Sequence, residues 1–257
     1  MNEQSPVPEK NVENKAVLTM PVAIVIAGFL IAGAIMFTHT PINANGGTAK
    51  TSDSLGNPNS KAALALTTCM ASGKYAPLIE SQQADGLKIG ITGTPTSILK
   101  SKDGKMIRLV GAQKKDAFLK NIDGLISGNT DGLEVENIDM APITPSDHSI
   151  GSLDADVVIV EYSDTECPFC KTIHPVLHEI VKQYGGKVAW VYRHFPLDSI
   201  HPKTRKEAEA TECAAELGGN EVFWAYLDKI FENTPANNGL DPRLLAIYFD
   251  ELKVPIK

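Results

Sequence analysis

The chain has 257 residues, 43% of them hydrophobic, enough to bury the core of one mid-sized domain or two small ones. Its 24 Lys and Arg stand against 31 Asp and Glu, a net charge of −7. The charges are spread without long acidic or basic runs, which argues against a nucleic-acid partner.

Between Ala16 and Ala49 there is no Asp, Glu, Lys or Arg, and Ala16 to Phe37 is apolar apart from Thr19. As a helix, residues 16–37 rise roughly 33 Å, about the thickness of bilayer hydrocarbon. A retained transmembrane anchor after a cytoplasmic tail (residues 1–15) is the expectation. A cleaved signal with Ala44 at its site and a buried core helix are the other readings. Lys10 and Lys15 precede the span and only Lys50 follows closely, which places residues 50–257 outside the cytoplasm, although Glu3, Glu9 and Glu13 dilute the bias.

Residues 38–60, rich in Asn, Gly, Thr, Ser and Pro, read as a flexible linker, with folded structure beginning near Lys61. Lys61–Ser72 and Tyr75–Ala84 are expected to be short helices ending at Gly73 and at Asp85–Gly86. Pro95–Leu99 and Met106–Val110 flank the turn residues Lys102, Asp103 and Gly104, a hairpin pattern, and a helix over Lys114–Ser127 follows. The stretch to Asp156 reads mostly as loop, with a short strand around Val135.

Val157–Tyr162 is a nearly continuous, mostly β-branched apolar run, expected to be a central strand buried on both faces. Cys167–Tyr184 has helical spacing at Ile173, Val176, Leu177, Ile180 and Val181 and ends at Gly185 and Gly186, before a strand over Val188–Tyr192. Three helices complete the chain: Lys203–Leu217, Asn220–Phe231 with Asn220 as N-cap, and Asp241–Leu252 with Asp241 as N-cap and Pro242 in the first turn.

Cys167 and Cys170 are separated by Pro168 and Phe169 at the start of a helix. Free backbone N–H groups and the helix dipole there stabilise a thiolate at the first cysteine, making Cys167 a nucleophile and Cys170 the thiol that resolves its mixed disulfides. Asp164 and Glu166 oppose the thiolate, and Lys171 and His174 favour it. A zinc half-site and an inert structural disulfide are the alternative readings of the spacing. His174, His178, His194 and His201 form no metal constellation by spacing and are read as surface or packing residues, so no metal ligand is assigned and no cofactor is expected.

The run from Val157 to Pro196, with Glu161, Tyr162, Cys167, Pro168, Phe169, Cys170, Lys171 and Pro175, closely resembles the DsbA-like thioredoxin family of bacterial exported oxidoreductases. Pro175, five residues past Cys170, matches the proline that kinks the active-site helix of thioredoxins. The resemblance covers nearly everything from residue 61 onward. It implies an α/β thioredoxin fold with an inserted helical domain, the insert from residues 61–88 and 199–257 and the thioredoxin-like part from 89–128 and 134–198. It further implies that Gly93, Thr94, Pro95 and Thr96 form a loop with a cis Thr94–Pro95 bond, whose Thr94 backbone pairs with extended substrate. Pro168 and Phe169 belong to that substrate surface, and Glu161 matches a buried acid that assists proton transfer, or a satisfied carboxylate at a strand end.

In the family the cis-proline loop follows the cysteine motif, whereas here Pro95 precedes Cys167 by 72 residues. A circular permutation is expected, with residues 129–134 bridging roughly 20 Å between the old termini. A rearranged sequence and a domain-swapped dimer are the alternatives. Under permutation Cys69 and Cys213 both fall in the helical insert, and an even cysteine count in an oxidising compartment predicts their pairing.

The function expected is that of an exported, membrane-anchored thiol-disulfide oxidoreductase, in the oxidase direction. Its partners would be reduced or unfolded exported proteins and a membrane protein that reoxidises the pair, at the extracytoplasmic face of a bacterial membrane. Isomerase or reductase activity is the alternative, as is a client-binding module using Phe169, Phe195 and Trp224 without redox turnover.

Overall fold

The computed structural model describes residues 56–256. The expected anchor at 16–37 and most of the linker lie outside these residues, and among the described residues no helix is long and apolar enough to cross a membrane. Ordered contacts begin slightly before Lys61: the Gly56 and Asn57 amides donate to Glu251 Oε1 and Asp250 Oδ2, at 3.2 and 2.6 Å. The end of the expected linker is therefore fastened to the last helix.

The elements run α1 (Lys61–Ser72), α2 (Ala76–Lys88), β1 (Thr96–Ser101), β2 (Met106–Val110), α3 (Lys115–Ser127), β3 (Val135–Glu136), β4 (His148–Ile150), β5 (Val157–Ser163), α4 (Pro168–Tyr184), β6 (Val188–His194), α5 (Thr204–Gly218), α6 (Asn220–Asn233) and α7 (Arg243–Glu251). Six strands form one sheet in the order β3-β2-β1-β5-β6-β4. β5 and β6 are parallel, joined through α4, while β1 lies antiparallel to both β2 and β5.

Every residue of β5 and β6 is buried, which explains the apolar runs Val157–Val160 and Val188–Tyr192. Alternation along β5 divides the core. Val157 and Ile159 join α3 and α4 through Phe118, Ile122, Ile173 and Leu177 on one face. Val158, Val160 and Tyr162 pack with Ile98, Val191 and Phe195 on the other. A third cluster, built on Leu66, Ala210, Tyr226, Leu245 and Phe249, holds α1, α5, α6 and α7 together. Within it Cys69 and Cys213 are joined by a disulfide, with an S–S length of 2.02 Å.

Four sequence expectations need correction, the first being that Asp241 is not the N-cap of α7: Pro242 holds that position and Arg243 is the first helical residue. α2 does not stop at Asp85–Gly86 but runs to Lys88, because Gly86 is the point where the helix meets the sheet. A Cβ at Gly86 would lie 2.7 Å from the Phe195 ring, so no larger residue fits. Asp85 is also structural there, bound with Asp147 to buried Arg193 at 3.0 Å each. Asn220 is the first residue of α6 and not its N-cap; its side chain instead exchanges two hydrogen bonds with the Ser149 backbone. That exchange accompanies strand β4, which lies in the stretch expected to be loop.

Candidate active site

The end of β5 and the start of α4 are connected by Asp164, Thr165 and Glu166, all buried. The Asp164 carboxylate organises this turn. Its Oδ1 accepts from the Glu166 amide (2.8 Å) and Thr204 hydroxyl (2.7 Å), and its Oδ2 from the Leu197 amide (2.8 Å) and the His201 ring (3.0 Å). Glu166 is tied in turn to the segment after α6, its carbonyl accepting from the Asn237 amide at 2.7 Å and its Oε1 from the Leu240 amide at 3.2 Å.

This scaffold places Cys167 at the N-cap of α4 in extended conformation, with Pro168 in the first turn, where its missing N–H costs nothing. Cys167 and Cys170 are free thiols at 4% and 0% exposure, whereas Phe169 between them is 62% exposed. The β1–β5 register, Thr96 opposite Tyr162 and Ser97 opposite Glu161, carries the preceding loop to the same point. The Thr94–Pro95 bond is cis, and Cys167 Sγ lies 3.4 Å from the Thr94 carbonyl, to which it donates when protonated. Residues 73 positions apart thus meet through strand pairing.

The two thiols are electrostatically unlike. A hydrogen bond from Cys170, aided by the Thr94 side chain and then by backbone N–H groups of Cys170 and Phe169, outweighs burial and brings Cys167 down to about 6 from 9.0. Cys170 is pushed well up by burial and then by its neighbour Cys167. Glu161, wholly buried, is raised by burial to about 7 although Trp190 Nε1 donates to its Oε2 at 3.1 Å. A nucleophile charged at neutral pH, a protonated thiol and a carboxyl poised near 7 share one site.

The charges expected to tune Cys167 act differently in the fold. Lys171 donates to the carbonyls of Thr234 (2.6 Å) and Glu232 (3.3 Å). His174 is lowered by burial and faces Asp228 at 2.7 Å, so it supplies no cation. Glu207, which sequence reasoning missed, is raised by burial and by Glu166 to about 9 and stays neutral at pH 7, lessening the negative charge beside the turn. Its position inside a helix gave no signal, since the contact spans 41 residues of chain from Glu166. Of the aromatics proposed for client binding, Phe195 and Trp224 are buried core at 2% and 5% exposure, and only Phe169 faces solvent.

Glu161 also gives a stability prediction. Its folded value near 7 exceeds its ordinary 4.5, so the native state holds the proton more tightly and stability falls as pH rises across that window. The full loss is of order 3 kcal/mol. Glu161→Gln is expected to match the parent below pH ~4.5 and to exceed it by about 2–3 kcal/mol above pH ~7 in urea unfolding. An unchanged pH slope would remove Glu161 as the titrating group.

A sequence profile described as thioredoxin matches residues 143–250. Curated relatives include the Na+/H+ antiporter NhaA 3 of Salinispora tropica, 33% identical over 150 residues, 58% of this chain and 20% of that protein. The antiporter NhaA 1 of Mycolicibacterium vanbaalenii is 38% identical over 95 residues, 37% of this chain and 15% of that one. The chain thus spans a fifth or less of these relatives. Among solved structures, DsbA2 of Pseudomonas aeruginosa is 31% identical, with 44% of this chain and 71% of that chain covered and a TM-score of 0.36. The catalytic domain of Proteus mirabilis ScsC is 20% identical, with 56% and 71% covered and a TM-score of 0.34.

Proposed function

We propose that the chain, which matches a thioredoxin profile over residues 143–250, is a DsbA-like protein thiol-disulfide oxidoreductase acting through Cys167 and Cys170, as an oxidase. The observation that carries the reading is the asymmetric thiol pair at the α4 N-terminus, with Cys167 against the Thr94 carbonyl.

In the oxidised protein, a substrate thiolate attacks Cys167 Sγ, forming a mixed disulfide and breaking the Cys167–Cys170 bond. Cys170 leaves and takes up a proton, for which Glu161 is the buried donor. The substrate's second thiolate then attacks its own sulfur in the mixed disulfide and expels Cys167 as a thiolate. Two electrons pass from the substrate dithiol to the cysteine pair, and a disulfide-bearing membrane partner takes them on. Thr94 and Pro95, with exposed Phe169 and half-buried Pro168, form the substrate-facing surface.

Several further readings go with this function. An anchor over residues 16–37, holding the domain outside a bacterial membrane, is supported by the uncharged stretch and by a Cys69–Cys213 disulfide suited to an oxidising compartment. Permutation is supported by β1, β2 and α3 preceding the cysteine motif in sequence while β1 pairs with β5 in one chain. The antiporter relatives match over too small a share for ion transport to be carried to this chain.

The reduction potential of the pair, equilibrated against glutathione, tests the direction. Stabilising the Cys167 thiolate from 9.0 to about 6 favours the reduced form at pH 7. That amounts to about 1.4 kcal/mol, or about 30 mV toward an oxidant. A potential above about −200 mV is expected, and one near −270 mV would make the protein a reductase.

A further inference from the structure

Two histidine–carboxylate groups stand apart from the cysteine pair among the described residues, and their geometries differ. In one, His148 and His194 use separate oxygens of Glu212, at 3.1 and 2.9 Å. The His194 and Glu212 side chains are only 2% and 4% exposed, and Phe223 stacks on the His148 ring at 3.7 Å between centroids. Both carboxylate oxygens are engaged and the space is filled, which is the arrangement of a buried polar tie.

The other group is His174, His178 and Asp228. Both imidazoles direct Nε2 at the same oxygen, Asp228 Oδ1, at 2.7 and 2.9 Å, and the three donor atoms lie within 4.8 Å of one another. His174 and His178 are one helical turn apart on α4, so their side chains share a face, while Asp228 comes from α6. The cluster opens on a cleft of about 480 Å³ also lined by Lys171, Phe231 and Glu232. The His174 side chain is 6% exposed, but those of His178 and Asp228 are 35% and 38% exposed, so one donor is fixed inside and two stand at the mouth.

We propose that His174, His178 and Asp228 form a binding site for a divalent transition metal of the zinc class, with the position facing the cleft left to water or to Glu232. Two imidazoles and one carboxylate are a borderline-soft donor set that favours zinc over oxygen-seeking Ca2+ or Mg2+. Zinc takes such ligands at about 2.0–2.2 Å, which sets tetrahedral donor atoms roughly 3.4 Å apart. The present 2.7 and 2.9 Å contacts therefore open by about half an ångström, a movement into the cleft that half-exposed Asp228 allows. For Nε2 to bind the metal, each histidine carries its ring proton on Nδ1. His174 Nδ1 is buried without a hydrogen-bond partner, which holds the affinity below that of a closed structural site. Lys171, the nearby cation, is engaged by the carbonyls of Thr234 and Glu232.

The site contains no cysteine and stands independently of thiol exchange. Its test is calorimetric titration of Zn2+ into the full chain in detergent, with Cys167 and Cys170 oxidised so that the dithiol does not compete. One equivalent is expected to bind and to raise the thermal unfolding temperature. Asp228→Asn, which keeps shape and hydrogen bonding, and His178→Gln are each expected to weaken binding by on the order of tenfold or more. His148→Gln, in the enclosed group, leaves it unchanged. No binding at millimolar Zn2+, or equal affinity in the Asp228→Asn and His178→Gln chains, overturns the proposal.

Discussion

In Cys170→Ala the Cys167 thiolate, on attacking a disulfide-bearing protein and expelling one of its sulfurs as a thiolate, is expected to stay trapped as a mixed disulfide, whereas replacing Cys167 abolishes thiol exchange by on the order of a thousandfold or more, the scale set by loss of a covalent nucleophile. The asymmetry follows from the site. Cys167 reaches about 6 because the Cys170 thiol and the first amides of α4 donate to its sulfur, so most of it is thiolate at pH 7. An unperturbed cysteine is ionised to only a few per cent there. Alkylation of the reduced chain should therefore follow a single ionisation near pH ~6 and label Cys167 alone, since Cys170 is wholly enclosed and held as a thiol. In Cys170→Ala the leading hydrogen bond to Cys167 is gone, and the alkylation midpoint should move up by about one pH unit or more. A midpoint that stays in place would assign the thiolate to the Thr94 side chain and the helix amides. A trapped adduct on Cys170 in the Cys167→Ala chain would reverse the roles.

The sequence revealed elements more readily than junctions. β5 and α4 were legible because a β-branched run and a 3.6-residue period are local signals, and both ends of α4 carried punctuation, Pro168 at one and Gly185 at the other. β4 was not, since its three residues owe their strand conformation to pairing with Tyr192, Val191 and Trp190. The site divides the same way. Cys167 and Cys170 announce themselves by spacing, and Thr94 and Pro95 by a motif. The environment does not: Asp164 looks like a charge opposing the thiolate until Leu197, His201 and Thr204 are seen to use both its oxygens as a latch. His174 and His178 share a helix face by arithmetic, yet Asp228 joins them only because α6 packs across α4.

Removing the Cys69–Cys213 disulfide is the change expected to cost the fold most. The bridge joins residues 144 apart, tying α1 near the start of the folded region to α5. Closing a loop of that length in the unfolded chain is worth about 4–5 kcal/mol of chain entropy, at the upper end for a single bridge. For a domain of this size that corresponds to roughly 10–15 °C in unfolding temperature. Packing holds α1 less firmly: its buried side chains are Ala62, Ala63, Leu66 and Cys69, with Met70 partly buried, so Leu66 is its one large fully buried apolar residue, and the nearby Lys74–Glu216 pair is half-exposed and worth little. Cys69→Ala/Cys213→Ala should therefore unfold earlier in denaturant and release α1 first, read as early amide exchange over residues 61–72. Reducing the Cys167–Cys170 pair, whose ring spans four residues, changes stability far less through loop closure. A double variant within about 1 kcal/mol of the parent would show that the helices around Tyr226 and Phe249 hold α1 by packing alone.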